Sequence, residues 1–189
     1  RTFPRPADRV IYESTKELIS KAERLSHPCL AAVLRHGEDA DTIYVVSETT
    51  IGPSLHQVVR DRGPMSVGDA RNFFIQILGC LDHAHSQDVC HLNLRPEVII
   101  KDAGETDRYK LSGFGLPVRQ PVTGETVYST NPDTDPQYMA PEQIMGSDVD
   151  SRTDIYAAGL LLFFVLTGRT PFEAKRIQDT RSEEHTSEL

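Results

Sequence analysis

Apolar side chains recur at helical spacing in three stretches of the chain. Residues 12–25 predict an amphipathic helix, because apolar positions three and four residues apart share one face of a helix. A broader stripe follows Ser66, which is placed to cap a second helix buried on one side. Residues 154–166 are apolar on nearly all faces, so we expect a central helix opened by Ser151 or Thr153. The apolar positions of the first two helices are Leu18, Ala22, Leu25, Ala70, Phe73, Phe74, Ile77, Leu78, Leu81 and Ala84.

Two strands are predicted between the first helix and the second. Residues 30–34 and 42–47 are short apolar runs, and the turn-rich segment 37–41 joins them. Pro28 ends the first helix before them, because the residue preceding a proline is pushed out of the helical region. The first nine residues hold two prolines and no periodicity, so they are expected to form a lead-in without regular structure.

Composition narrows the class of protein. A chain of 189 residues with 38% hydrophobic and 25% charged residues is typical of one folded domain or a large piece of one. A net charge of −8 argues against general nucleic-acid binding, which needs a basic face. Cys29, Cys80 and Cys90 have no metal-binding spacing, so we interpret them as small buried hydrophobic side chains in a reducing compartment.

The two ends of the chain carry their own signals. The longest apolar run, 157–166, is about half the length of a bilayer span, and the start has no signal peptide. Because the first residue is arginine, we expect the chain to begin inside a larger protein. Residues 181–189 match the in-frame translation of a sequencing adapter, so they are excluded from the fold interpretation.

Two short motifs organise the candidate chemistry. The first is His-Leu-Asn-Leu-Arg-Pro-Glu-Val-Ile-Ile at 91–100, and the second is Leu-Ser-Gly-Phe-Gly-Leu at 111–116. Together they resemble the catalytic loop and metal-binding turn of eukaryotic-type protein kinases, His-Arg-Asp-Leu-x-x-x-Asn and Asp-Phe-Gly. Relative to that signature, Asn93 replaces the catalytic base, while Val98 and Gly113 replace the two metal ligands. Arg95 keeps a positive charge where the family's catalytic-loop lysine stands.

The resemblance covers roughly residues 12–172 and rests on the order of its motifs. After the helix and His27-Pro28 come the altered loop, Gly-Phe-Gly, Tyr-Met-Ala-Pro-Glu at 138–142, and Asp-Ile-Tyr at 154–156. It implies an α+β, two-lobed protein kinase-like fold truncated at both ends. Residues 1–50 would be a partial small lobe with helix C and the following strands. Residues 51–180 would be a partial, mostly helical large lobe.

Several positions depart further from the family pattern. Leu92 replaces the arginine that pairs with a phosphorylated loop, and Asp135 replaces the threonine expected just before Pro136. Leu18 falls where helix C should carry its ion-pair glutamate, with Glu17 one residue away. The family's strand lysine and glycine-rich loop would precede residue 1. The resemblance therefore implies an altered site rather than a working one.

Other residues match the family's architecture. His91 and Phe114 resemble members of the hydrophobic spine, and Gly115 completes the Gly-Phe-Gly turn. Asp154 resembles the buried aspartate that binds the catalytic-loop backbone. Glu142 resembles the glutamate of a buried ion pair whose arginine would lie beyond residue 189, so we expect an unpaired carboxylate and a fragment less stable than the complete domain. From the residues alone, His91 also fits an ordinary core histidine, and Asn93 a turn cap.

Nucleotide binding is a separate question. The resemblance places Ser47 at the gatekeeper position, Glu48 and Thr50 in the adenine-binding linker, and Ile100 at the pocket floor. Backbone groups of a linker bind adenine whatever their side chains. With two metal ligands replaced, we expect no cofactor, or weak and metal-independent binding of ATP.

The sequence thus favours a catalytically inactive pseudokinase that serves as a binding or regulatory module in signalling, with a protein partner, in the cytoplasm or in a cytoplasmic domain. The alternative is a Ser/Thr kinase with residual activity that uses displaced carboxylates at Glu97, Asp102 or Asp135. A third interpretation is a decaying gene whose product has no activity.

Overall fold

A small antiparallel sheet and one helix form the N-terminal part of the molecule. The computed structural model describes residues 2–4, 6, 9–104, 107–115 and 136–172. Strands β1 (Thr2–Pro4), β2 (Val33–Glu38) and β3 (Thr42–Ser47) pair in the order β1-β3-β2. Helix α1 (Arg9–Ala22) precedes β2 and buries Ile19 and Ala22 completely. This unit matches the predicted helix followed by two strands.

The first strand corrects the expectation for the start of the chain. Thr2–Pro4 pairs with β3, with Thr2 opposite Tyr44 and Pro4 opposite Thr42. Residues 1–9 were predicted to have no regular structure, and for this segment that prediction is wrong. A three-residue edge strand leaves no periodicity to read, and proline is tolerated at a sheet edge.

Strand β2 begins later than predicted. Leu30 forms only an isolated parallel bridge to Leu111, and Ala31 N–H donates to the carbonyl of Leu111 at 2.9 Å. The sheet pairing starts at Val33, passes an irregularity between Val33 and Arg35, and continues to Glu38. The predicted strand 30–34 is therefore displaced, because pairing with β3 extends into polar residues that were taken for a turn.

Within the described residues, the C-terminal part contains four α-helices. They are α2 (Leu55–Arg62), α3 (Val67–His85), α4 (Pro141–Met145) and α5 (Ser151–Thr167). Ser54 and Ser66 cap α2 and α3 by accepting hydrogen bonds from the backbone of Gln57 and Asp69, as expected for N-cap serines. The cap of α5 is Asp150, which accepts from the backbone N–H of Arg152. Ser151 therefore opens α5, as predicted.

A hairpin lies between these helices and the sheet. A 3₁₀ turn at Pro96–Val98 leads into β4 (Ile99–Lys101), which pairs antiparallel with β5 (Tyr109–Leu111). The connection after β3 runs beside β4, because Lys101 N–H donates to Pro53 and Ala103 N–H donates to Ile51. This hairpin places the loop 91–98 and the turn 112–115 next to each other.

One hydrophobic core runs through both parts. Helices α3 and α5 contact each other, and α3 also contacts β5. Fully buried side chains of this size each contribute about 1.5–3 kcal/mol of hydrophobic free energy. The largest are Phe73, Phe114, Ile19, Ile43, Leu55, Ile77, Leu81, Leu94, Ile99, Leu111 and Leu161. Among the described residues, no helix combines the length and apolar character required to cross a bilayer.

Candidate functional site

The loop that follows α3 is held from below by one buried carboxylate. Asp154, in the first turn of α5, is 1% exposed. Its Oδ2 accepts from His91 N–H at 2.8 Å and its Oδ1 accepts from Leu92 N–H at 2.7 Å. Because hydrogen bonds to a charged group are each worth about 1.5–3 kcal/mol, this contact fixes the loop backbone. Asp154 thus hydrogen-bonds the backbone of the loop, which is the geometry that the resemblance implied.

Leu92 carries backbone strain at this point. Its φ is +57°, in the left-handed region that costs a residue with a Cβ about 1–2 kcal/mol. Its N–H is bound by Asp154, and its carbonyl accepts from Gln143 Nε2 of α4 at 2.8 Å. The side chain is itself 8% exposed. Helices α4 and α5 thus hold a strained residue from both sides. Gln143 was missed from the sequence, because nothing in its spacing links it to residue 92.

His91 and Phe114 meet as the resemblance implied. Their rings are 4.8 Å apart and nearly perpendicular, and both are buried. His91 Nδ1 accepts from Asn93 N–H at 3.2 Å, so the proton lies on Nε2, which donates to the Ser112 carbonyl at 3.0 Å. This arrangement joins the loop to the turn beyond β5.

Gly115 lies directly against α1. Its φ is +71°, and a Cβ at this position would come within 2.7 Å of the Ala22 Cβ and 3.4 Å of the Ile19 Cα. Only glycine allows this backbone conformation and this approach together. The turn 113–115 therefore connects the helical part of the molecule with the first helix.

The three positions that would carry chemistry hold no carboxylate. Asn93 is half-buried, and Val98 is 2% exposed and belongs to the core cluster. The Val98 carbonyl accepts both the N–H and the hydroxyl of Ser112, each at 2.9 Å. Gly113 has a φ of +109° and offers only backbone atoms. The backbone around these positions is well bonded, although the side chains are inert.

Arg95 is the charged group that remains on the loop. Its side chain is 13% exposed, and one terminal nitrogen lies 3.6 Å from Glu97 Oε2. Its Nε is buried and has no hydrogen-bond partner within the described part of the chain. A buried guanidinium donor without an acceptor is costly, so this side chain is suited to meet an anion.

The carboxylates suggested as substitutes have other contacts. Glu97 is exposed and faces Arg95. Asp102 Oδ1 accepts from the N–H of Gly104 at 2.9 Å and so closes the turn after β4. Asp135 lies outside the described residues, as does the whole segment 116–135.

The linker residues are only partly brought together. Ser47 ends β3 and is exposed, and Thr50 is half-buried. Ile100 lies in β4, bridged to Ser54 at the end of the linker. Glu48 already has partners for its backbone and its side chain. Its backbone N–H donates to the Ala32 carbonyl, and its carboxylate forms a short ion pair with Lys110. The hydrogen bond from Lys110 lowers the pKa of the Glu48 carboxyl. This ion pair was not foreseen.

Glu142 requires a correction. Its carboxylate was expected to be buried and unpaired, but the residue is half-buried and accepts a hydrogen bond from Thr153 Oγ1 at 2.6 Å. The expected cost of an isolated buried charge therefore does not arise here. Thr153 is 1% exposed, so the bond also satisfies a buried hydroxyl at the start of α5.

Comparison with known proteins identifies the family. The model of the protein kinase domain matches residues 7–188, nearly the whole chain. The chain belongs to the protein kinase domain family. The kinase domain of PknI from Mycobacterium tuberculosis, a solved structure, superposes with a TM-score of 0.71 at 27% identity, covering 88% of this chain and 61% of that one. The two-lobed, truncated kinase-like fold predicted from the sequence is confirmed.

Curated relatives of this protein kinase domain are Ser/Thr kinases. The serine/threonine-protein kinase pkn3 of Myxococcus xanthus is 34% identical over 159 residues, which is 81% of this chain and 29% of the relative. The serine/threonine-protein kinase PrkC of Bacillus subtilis is 32% identical over 155 residues, which is 82% of this chain and 23% of the relative. The chain thus spans about a quarter of the length of these relatives.

A protein kinase domain ordinarily holds magnesium and ATP phosphates above this loop. Magnesium takes oxygen ligands in near-ideal octahedral geometry. Here the two ligand positions are a buried valine and a glycine, and the base position is an amide. These residues do not fit the metal.

Proposed function

We propose that this protein kinase domain is a pseudokinase, acting as a binding or regulatory module in a larger signalling protein with a protein partner in the cytoplasm. The observation that carries the proposal is the coincidence of Asn93, Val98 and Gly113 within an ordered loop. The frame around them is hydrogen-bonded and buried. A domain that keeps its shape without its reactive groups retains surfaces for partners.

Each replacement removes a different requirement of the reaction. An amide at residue 93 cannot take a proton from the attacking hydroxyl, and a positioned base is worth roughly 10²–10⁴ in rate. Val98 and Gly113 supply no oxygen to a cation. Because the three losses concern separate groups, no single displaced carboxylate would restore all of them.

The test is a magnesium-dependent phosphotransfer assay on the complete domain with labelled ATP. Protein kinases turn over at about 1–100 s⁻¹. We expect no transfer above background, beside an active kinase domain of the same family as positive control. Turnover at ordinary rates that the Asn93→Ala variant abolishes would overturn the proposal.

We also propose that any ATP binding is weak and independent of metal. The groups that support it are the backbone of the linker and Arg95, whose Nε has no acceptor among the residues that the structure describes. Thermal unfolding with ATP, with and without magnesium, should show a small shift that magnesium does not enlarge and that the Arg95→Met variant reduces. A shift that appears only with magnesium would contradict metal independence.

The second candidate function is Ser/Thr kinase activity of an unconventional kind. The preserved positive charge of Arg95 on the loop favours it. Slow phosphotransfer that persists in the Asn93→Ala variant and is lost on changing Glu97, Asp102 or Asp135 to alanine would establish this alternative.

A further inference from the structure

Three elements meet at a cluster of metal-ligating side chains below the loop. His85 ends α3, Cys90 lies in the following loop, and Asp154 lies in the first turn of α5. One ligand atom from each, including the Cys90 sulfur, lies within 4.8 Å of the other two. In the part of the chain that the structure describes, no other group of three His, Cys, Asp or Glu side chains is this close.

We propose that His85, Cys90 and Asp154 form a binding site for a thiophilic divalent metal ion, with Zn²⁺ as the ion of best fit. Thiolate, imidazole and carboxylate together are the ligand set that zinc accepts, whereas magnesium and calcium prefer oxygen alone. Three protein ligands leave the fourth tetrahedral position to solvent or to an external ligand. The proposal does not depend on whether the domain transfers phosphate.

The distances are close to those of a tetrahedral site. Zn–S bonds of about 2.3 Å and Zn–N or Zn–O bonds of about 2.0–2.1 Å place the ligand atoms roughly 3.3–3.6 Å apart. The sulfur therefore has at most about 1.2 Å to move from the observed limit of 4.8 Å. His85 Nε2 and Asp154 Oδ2 are 2.7 Å apart, so they would separate slightly as the ion takes the place of their hydrogen bond.

Charge and access support a cation at this position. Burial, and after it the carboxylates of Asp154, Asp150 and Asp88, raise the pKa of the Cys90 thiol to about 11. The same carboxylates favour a cation beside the sulfur, and Arg152 offsets part of their charge by pairing with Asp150 at 2.7 Å. The His85 side chain is 15% exposed and Cys90 is half-buried, so the cluster opens toward solvent on one side. Cys29 and Cys80 are buried, as predicted, and do not share this position.

Metal binding releases one proton from the site. The Cys90 thiol binds as thiolate and releases its proton to solvent. His85 now donates from Nε2–H to Asp154, so metal binding at Nε2 moves the ring proton to Nδ1 and leaves the imidazole neutral. Asp154 keeps its bonds from His91 N–H and Leu92 N–H, so metal occupancy acts on the carboxylate that holds the loop. The ion would join α3, the loop and α5.

The experiment is titration of the untagged full chain with Co²⁺, followed by competition with Zn²⁺. We expect one equivalent of cobalt to bind with a sulfur-to-metal charge-transfer absorption that zinc abolishes. The Cys90→Val variant should lose that absorption and bind at least about 100-fold more weakly, because losing an outer partner of a ligand alone costs roughly 10–100-fold. The Cys29→Ala variant is the matched control and should bind as the unaltered chain does.

A second variant separates binding from folding. His85→Gln keeps a hydrogen-bond donor for Asp154 while removing the imidazole, so it should fold but bind cobalt with the same large loss. Zinc should raise the unfolding temperature of the unaltered chain and of Cys29→Ala. It should not raise that of Cys90→Val or His85→Gln. Absence of stoichiometric cobalt binding, or a charge-transfer absorption that survives Cys90→Val or vanishes in Cys29→Ala, would overturn the proposal.

Discussion

The two sides of the loop at 91–98 differ sharply. On the lower side, Asp154 and Gln143 bind the backbone, and His91 bridges to Ser112 through its ring. On the upper side, the three positions that match the family's reactive groups hold the amide of Asn93, the isopropyl group of Val98 and Gly113, which has no side chain. The comparison shows that the interactions that shape the loop are physically separate from those that perform phosphoryl transfer.

This separation has an energetic basis. The groups below the loop are buried, so each bond left unmade costs the desolvation of a polar atom. Above the loop, Asn93 is half-buried and Gly113 has no side chain, whereas Val98 is buried in the core. Replacing Asp154 should therefore lower stability far more than replacing Asn93.

The largest effect is expected for Asp154→Ala. It leaves the His91 and Leu92 N–H groups and His85 without their buried acceptor, and removal of one partner from a buried charged network costs about 3–5 kcal/mol. Urea denaturation should show this loss, with a smaller one for Asp154→Asn, which keeps one acceptor oxygen. An equal loss in Asn93→Ala would contradict the proposed difference between the two sides.

Two glycines provide the next contrast. Gly115→Ala places a Cβ 2.7 Å from the Ala22 Cβ at a φ of +71°, so left-handed strain and overpacking should together cost about 2–4 kcal/mol. In Gly159→Ala, the new Cβ has no atom of the described residues within 4 Å beyond the backbone of α5 itself, so the change should stabilise by about 0.5–1 kcal/mol. Thermal unfolding of both variants measures the difference, and shifts of the same sign would refute it.

Restoring the family's residues on the upper side should have unequal costs. Val98 is 2% exposed, so Val98→Asn introduces an amide into an apolar site and should cost about 1–3 kcal/mol. Asn93 is half-buried, and Asn93→Asp should change stability by less than about 1 kcal/mol. Equal urea midpoints for the two variants would contradict the larger cost that we expect at the buried Val98.

The smallest effect concerns pH. Because Lys110 lowers the pKa of the Glu48 carboxyl in the folded state, their ion pair stabilises the fold above the unfolded-state pKa of glutamate. That contribution is lost as the pH falls through the lowered pKa. Glu48 is 36% exposed, so Glu48→Gln should cost less than about 1 kcal/mol near neutral pH and nothing in acid. A difference that stays constant from neutral to acid pH would exclude this ion pair as the cause.

Local patterns predicted the fold well where burial follows sequence spacing. The stripe after Ser66 predicted α3, and the run 42–47 is the strand β3 itself. The errors lie where the pairing of neighbouring strands, rather than the local hydrophobic pattern, decides which residues form a strand. The polar residues His36 and Glu38 belong to β2 because β3 lies beside them, while Leu30 bridges to β5 instead.

Only the residues of the candidate site that lie within the sequence motifs could be predicted from the sequence. The roles of Asp154 and His91 followed from the resemblance, because those residues match a known pattern. The contacts of Gln143, the ion pair of Glu48 with Lys110, and the approach of Cys90 to His85 join residues through space. No period or spacing in a single sequence reports such contacts. The domain boundaries at residues 50 and 180 stay predictions.

The linker has one mechanical consequence. Ile51 and Pro53 are bonded to the β4 segment, a Cβ on Gly52 would lie 1.9 Å from the Lys101 carbonyl oxygen, and Glu48 is bonded to Ala32. Only Thr49 and Thr50 are left between these fixed ends. A rotation of the β2–β3 sheet relative to the β4–β5 hairpin would therefore turn about those two threonines. It would have to break the ion pair between Glu48 and Lys110 together with the pairing of Leu30 with Leu111.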